Sequence, residues 1–231
     1  MWISCGSRAR LARRCPATDR RVSLPLREAS SGSQAPAAPY ARAMPSFAQS
    51  ERQQLVALLS SLGPGERTLC EGWQTGDLAA HLVLRDHRPD AAPGMVTKRY
   101  PFGPYTERLQ RRLKESTPWD VLLERLRDGP PALLRPLDEQ LNCVEFFVHH
   151  EDVRRAQPNW QRRELASEDE AALWRRARVL GRLARQRPAR LEAPGRQPLV
   201  LGRDGPTVIG NPAELVIWLT GREAAALVEV H

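Results

Sequence analysis

The run NCVEFFVHHEDVRR, from Asn142 to Arg155, constrains this chain more than any other stretch. Val144, Phe146, Phe147 and Val148 are consecutive enough to surround a helix with apolar side chains rather than to line one face of it. Glu145, His149, His150, Glu151 and Asp152 interrupt that apolar girdle. A helix so composed is buried on much of its circumference, and the charges it carries inward need partners. The segment is expected to be helical from about Leu137 to Gln157, ahead of Pro158, within a fold that packs against it from several sides.

The remaining punctuation supplies the packing elements. Ser46 and Gln49 have capping-box spacing, and Leu55, Val56, Leu58, Leu59 and Leu62 form a helical stripe that ends at Gly63-Pro64-Gly65. Thr75 is placed to cap a second helix, GDLAAHLVLRDH, closed before Pro89. After a Pro- and Gly-containing stretch to about Pro104, a short helical piece covers Tyr105 to Lys114. Thr117-Pro118 starts another helix, with Pro at its first position, and Gly129-Pro130-Pro131 stops it. Ser167 with Glu170 repeats the capping box, and that helix runs to Arg187 before Pro188. From Ala189 the pattern changes. Leu191, Leu199, Val200, Leu201, Val208 and Ile209 suggest short strands, Asn211-Pro212 caps the helix PAELVIWLT, and AALVEV reads as a closing strand. The expected class is α+β and mostly helical. A helical bundle over residues 45–188 is followed by a small α/β unit over 189–231.

Charge and composition narrow the function. The formal net charge is +8, but residues 1–44 hold eight arginines against Asp19 and Glu28, so most of the excess lies there. No motif for base readout or aromatic stacking accompanies it, which argues against nucleic acid. This Arg-rich extension lacks the apolar core of a secretory signal. It suits an organellar transit peptide by composition. The favoured expectation is a disordered extension upstream of a true start at Met44, where helical patterning begins. The longest apolar runs, such as Leu215 to Leu219, are too short for a bilayer. Of the four cysteines, Cys5 and Cys15 fall in the extension while Cys70 and Cys143 are isolated; without CxxC spacing or a disulfide framework, a reducing cytoplasm fits.

Glu145 and His149 are four apart, so on a helix they lie about 40° apart on one face, in position to grip one ion. His81, alone on the apolar helix DLAAHLVL, is the best third ligand from another helix. Two imidazoles and a carboxylate suit Zn²⁺, with Ni²⁺ or Fe²⁺ as alternatives, and leave a coordination position open for chemistry. Read blandly, an i, i+4 Glu/His pair is common on solvated helices; burial of this one is what favours metal. His150, Glu151 and Asp152 are expected behind the ligands or at the surface, with Asp152 able to orient a ligand. Asp77, four residues before His81, either holds the free ring nitrogen of His81 or complements its helix N-terminus. Cys143 reads as a packed thiol, Cys70 carries no sign of activation, and Trp73 and Trp119 read as core anchors.

The motif Trp-x₃-Asp-Leu-x-x-His (Trp73, Asp77, Leu78, His81) and the later Glu-x₃-His-His-Glu-Asp (Glu145, His149 to Asp152) resemble a known group. They are similar to actinobacterial metal-binding proteins of the DinB-like superfamily, close to the N-terminal domain of mycothiol-dependent maleylpyruvate isomerase. The resemblance covers nearly all of residues 46–231. It implies an up-down four-helix bundle with His81, Glu145 and His149 as divalent-metal ligands, and a sterol-carrier-like α/β tail. In that tail Arg222 matches an arginine that would hold a substrate carboxylate. Arg222 also follows the helix stop Gly221, where a cation favours the C-terminal dipole. The chemistry implied is that of a thiol-dependent isomerase or transferase. A small-molecule thiol such as mycothiol would take the open metal position and add to an electrophile. The alternative is a non-catalytic metal- or ligand-binding module; either would be a monomer or a homodimer.

Overall fold

A computed structural model describes residues 45–88, 102–183 and 188–231. The expected extension at 1–44, and the end of the sixth helix at 184–187, lie outside the described residues. Among those described, six helices precede the change of pattern: α1 (Phe47–Leu62), α2 (Thr75–His87), α3 (Phe102–Ser116), α4 (Trp119–Asp128), α5 (Asp138–Ala156) and α6 (Ser167–Leu183). Strands β1 (Ala189–Glu192), β2 (Leu199–Leu201) and β3 (Thr207–Ile209) then lead into α7 (Pro212–Leu219) and β4 (Glu229–Val230). The sheet order is β2-β1-β3-β4, with β1 and β3 parallel and both outer strands antiparallel to their neighbours. No helix among the described residues is long and apolar enough to cross a membrane.

Local chemistry explains most boundaries and corrects several expectations. Ser46 accepts from the Gln49 amide and the Gln49 side chain returns the bond, so α1 opens on a capping box. Gln74, not Thr75, caps α2; Thr75 is its first residue and spends its hydroxyl on the Gly63 carbonyl, 2.6 Å away. Pro118 takes the cap position of α4 rather than its first turn. Helix α3 exceeds the expected Tyr105–Lys114 at both ends. Ser167 is the first residue of α6, where the Ala166 carbonyl receives the amides of Asp169 and Glu170. The expected closing strand AALVEV shrinks to Glu229–Val230, because Glu223–Ala225 turns as a short 3₁₀ helix.

Helix α5 is the axis of the molecule: every residue from Asn142 to Val153 is buried. One apolar layer sets Phe146 and Val153 against Leu55 and Leu59 of α1, Leu78 and Leu82 of α2 and Leu122 and Leu126 of α4. The other sets Val144, Phe147 and Val148 against Leu173 and Trp174 of α6, Leu191 and Val208 of the sheet, and Leu215 to Leu219 of α7. The tail thus shares a core with the helices.

Two polar clusters lock α5 to its neighbours. Arg52 of α1 reaches Asp86 of α2, donates to Asp138 at 2.7 Å and to the Leu126 carbonyl at 3.1 Å, and stacks over the Phe146 ring 4.0 Å from its centroid. Further along α5, His150 meets Glu51 at 2.9 Å, Arg163 bridges Glu51 and Glu151, and Arg155 joins Glu151 to Glu214 of α7. His150 and Glu151 are buried partners in this network and not surface groups.

Burial pushes the Glu51 carboxyl up in pKa, yet its bonds to His150 and Arg163 outweigh that and hold it below the usual value. Glu151 is likewise held down by Arg155, Arg163 and Arg154 against its own burial. A carboxyl depressed in the folded state contributes stability above the unfolded pKa of about 4.3 and loses it as pH falls below that. The urea midpoint is therefore expected to drop as pH falls from 6 to 3.5. Glu51→Gln is expected to begin about 3 kcal/mol less stable and to show a shallower drop. Parallel pH slopes for wild type and variant would refute this assignment.

Candidate metal centre

His81 projects from α2 and Glu145 and His149 from successive turns of α5. His81 Nε2 lies 3.2 Å and His149 Nε2 3.3 Å from the same oxygen, Glu145 Oε1. One atom from each residue falls within 4.8 Å of the others, and all three side chains are buried. Ligand atoms about 2.0–2.2 Å from a tetrahedral zinc ion lie about 3.3–3.6 Å from one another. The two spacings to Glu145 Oε1 are close to the edges of such a coordination polyhedron, and the third falls within 4.8 Å. The donor set, two imidazole nitrogens and a carboxylate oxygen, fits a divalent transition metal.

The surroundings orient these donors. The Trp73 ring packs against His81 with centroids 5.1 Å apart. The second ring nitrogen of His149, Nδ1, meets Asp152 Oδ2 at 2.9 Å. Asp152 in turn receives Arg222 Nε on Oδ1 at 3.0 Å and Arg222 Nη2 on Oδ2 at 2.7 Å. An Nδ1–H donated to Asp152 leaves the Nε2 lone pair facing Glu145, the tautomer a metal ligand needs. Arg222 reaches this place because Gly221, at φ 92°, ends α7 in the left-handed region. The amides of Gly221 and Arg222 bond back to Trp218 and Ile217, a Schellman closure that reverses the chain toward α5. The guanidinium also donates to the Thr220 carbonyl at the end of α7, at 2.7 Å. Arg222 is thus committed to Asp152 and to that helix terminus.

A second group of potential ligands overlaps the first: Cys70, His149 and Asp152. The loop between α1 and α2 docks on α5 through the Leu69 amide and the Asp152 carbonyl, 3.0 Å apart. This sets Cys70 Sγ 3.2 Å from Asp152 Oδ2 and 3.8 Å from His149 Nδ1. Here, however, Arg222 Nη2 stands 3.8 Å from the sulfur and holds the carboxylate. A cation on that side of His149 would face a buried guanidinium at contact distance, so the Nε2 side with Glu145 is the one suited to metal.

Burial lowers the His81 pKa below the usual imidazole value, against the pull of Glu145. His149 behaves oppositely: burial works against its charge, but bonds to Asp152, Cys70 and Glu145 raise its pKa well above the usual value. Glu145 is desolvated, yet Arg85 and the two imidazoles hold it well below the usual carboxylate range. Asp152 is held low by Arg222 and His149 despite its burial. The negative field that favours a proton on His149 also favours a cation there, and the two compete.

The remaining expectations sort by contact. His81, Glu145 and His149 converge, and Asp152 lies behind His149. Asp77 does not serve His81; it bonds the Gln74 amide at 3.0 Å and Lys114 Nζ at 2.9 Å, so it closes the start of α2. Cys143 is a packed thiol whose pKa burial pushes up to about 12. Trp73 and Trp119 pack against the core. Cys70 had no local signal: nothing in its isolated position indicates that a loop brings it to Asp152.

No protein-family model matches the chain, and neither the curated proteins nor the solved structures contain a significant match.

Because Asp152 fixes the tautomer and direction of His149, Asp152→Asn is expected to weaken divalent-metal binding roughly 10–100-fold with the fold retained. Titration with zinc under competition from a chelator, with circular dichroism as the folding control, measures it. Zinc affinity is expected to fall as pH is lowered, since His149 must release its proton to bind.

Proposed function

We propose that this protein binds one divalent metal ion, zinc by preference, through His81, Glu145 and His149. We further propose that it belongs with the DinB-like metal-binding proteins related to mycothiol-dependent maleylpyruvate isomerase. One observation carries the metal reading: two imidazole nitrogens from separate helices face a single buried carboxylate oxygen at 3.2 and 3.3 Å. The motifs around Trp73–His81 and Glu145–Asp152 support the family reading. On this reading the protein is a cytoplasmic thiol-dependent isomerase or transferase.

A divalent ion at such a site supplies Lewis acidity, enough to keep a coordinated small thiol ionised near neutral pH. The residues of the chain do the rest. His81 and Glu145 fix the ligand geometry from two helices, and Asp152 keeps the His149 lone pair aimed inward. Arg222 holds Asp152 ionised and in place. Arg85, with Nε 3.8 Å from Glu145 Oε1, offsets the carboxylate charge from the outer side.

Burial favours a second reading, the non-catalytic metal- or ligand-binding module. His81, Glu145 and His149 are only 5%, 5% and 4% exposed, which restricts access for a substrate. Elemental analysis tests the shared premise. Wild type is expected to retain about one metal per chain through purification, and His149→Ala to retain almost none; equal metal content would remove the basis for both readings. Incubation of the zinc-loaded protein with mycothiol and a maleylpyruvate-like electrophile then separates them. Zinc-dependent turnover identifies the enzyme, whereas metal retention without thiol binding identifies the module.

A further inference from the structure

A cavity of about 450 Å³ opens between α2, α3 and α4, and none of the metal-centre residues lines it. Its floor is apolar: Val83 and Leu84 from α2, Leu109 and Leu113 from α3. Its polar lining is one-sided. Arg112 of α3 and Arg125 of α4 line it together with Arg88, which follows the last residue of α2 and donates to the Tyr105 hydroxyl at 3.3 Å, and no acidic residue lines it among the described residues. Arg112 and Arg125 are exposed, and neither has a bonding partner among the described residues. His87 stands with them, its Nδ1 3.0 Å from the Val83 carbonyl of its own helix.

Each part of this arrangement costs something without a ligand. Leu109 and Leu113 are only half-buried and keep apolar surface in water that a bound hydrocarbon would cover, beside Val83 and Leu84, which are already buried. Arg112 and Arg125, like charges on one opening, repel one another and have no carboxylate partner among the described residues, whereas Arg52, Arg155, Arg163 and Arg222 each have one. The volume lies within the roughly 300–1,000 Å³ of small-molecule sites, which are mostly apolar with a few placed polar groups.

We propose that this cavity binds an amphipathic organic anion, its hydrocarbon part on Val83, Leu84, Leu109 and Leu113 and its carboxylate at the arginines of the rim. The anion makes no use of the metal ligands: the cavity is built from other residues, so the proposal stands whatever His81, Glu145 and His149 hold. Guanidinium groups pair with a carboxylate through parallel N–H donors, and the hydrocarbon supplies the affinity that a rim contact in water does not.

The probe is decanoate, titrated into the full-length protein by calorimetry below its micellar concentration. Decanol and decyltrimethylammonium serve as ligands of the same hydrocarbon with no charge and with the opposite charge. Decanoate is expected to bind saturably at one site, about threefold to fivefold tighter than decanol and tighter still than decyltrimethylammonium. The double variant Arg112→Glu/Arg125→Glu changes two exposed side chains. It is expected to weaken decanoate about tenfold or more and to leave decanol unchanged. Saturation of the protein with zinc is expected to leave decanoate affinity as it is, because the carboxylate does not sit on the metal centre. Equal affinity for decanoate and decanol, an unaffected double variant, a zinc-dependent change in decanoate affinity, or no saturable binding would each overturn the proposal.

Discussion

Everything in this molecule is arranged around the charges that α5 carries into the core. Every residue between Asn142 and Val153 is buried, yet Glu145, His149, His150, Glu151 and Asp152 all lie in that interval. An ionised group left unpaired there costs several kcal/mol, about 3–5 when one member of a buried pair is removed. Each is therefore met by a partner from a different part of the chain: His81 from α2, Glu51 from α1, Arg163 from the segment before α6, Arg222 from beyond α7. The apolar layers on either side of α5 would tolerate some sliding and repacking. The charge pairs do not, since a shift of one residue would turn about 100° of helix and separate all of them together.

The same pairing makes His149 asymmetric. One ring nitrogen faces Glu145 and the other faces Asp152, so both edges of the imidazole see a carboxylate. Arg222 breaks the symmetry by neutralising Asp152 on one side only. The Nδ1 edge becomes a closed ion pair with Cys70 beside it, and the Nε2 edge keeps an anionic oxygen shared with a second imidazole. Which nitrogen suits a cation is decided by a guanidinium supplied from the last dozen residues of the chain.

Much of this was legible in the residues. Apolar girdling of Val144 to Val148 correctly indicates a helix buried all round, and four-residue spacing correctly brings Glu145 and His149 together. His81 was found because a single imidazole on an apolar helix has little other reason to face inward. Glu51 and Arg52 left a signal too. They fall in the i, i+3, i+4 register of Ala48, Leu55, Val56 and Leu59, where solvated charges do not belong. The Cys70 approach to Asp152 and the Arg222 grip on it had no such signal. Both depend on where a loop and a helix stop direct the chain in space, and periodicity carries no information about that. Asp77 shows the opposite hazard: its position fits two roles equally, and the nearby Lys114 decides between them.

Cys70 and Arg222 stand 152 positions apart in the chain and 3.8 Å apart in space, on either side of Asp152. Contacts of such separation close long loops, and their entropic cost is met only once the intervening elements are in place. The helices can reach one another through nearby connections, but the pair that aims His149 waits for α6, the sheet and the reversal at Gly221. The His149 imidazole is therefore expected to take its final orientation late in folding, and a nascent chain would align these candidate ligands fully only after the segment carrying Arg222 had docked.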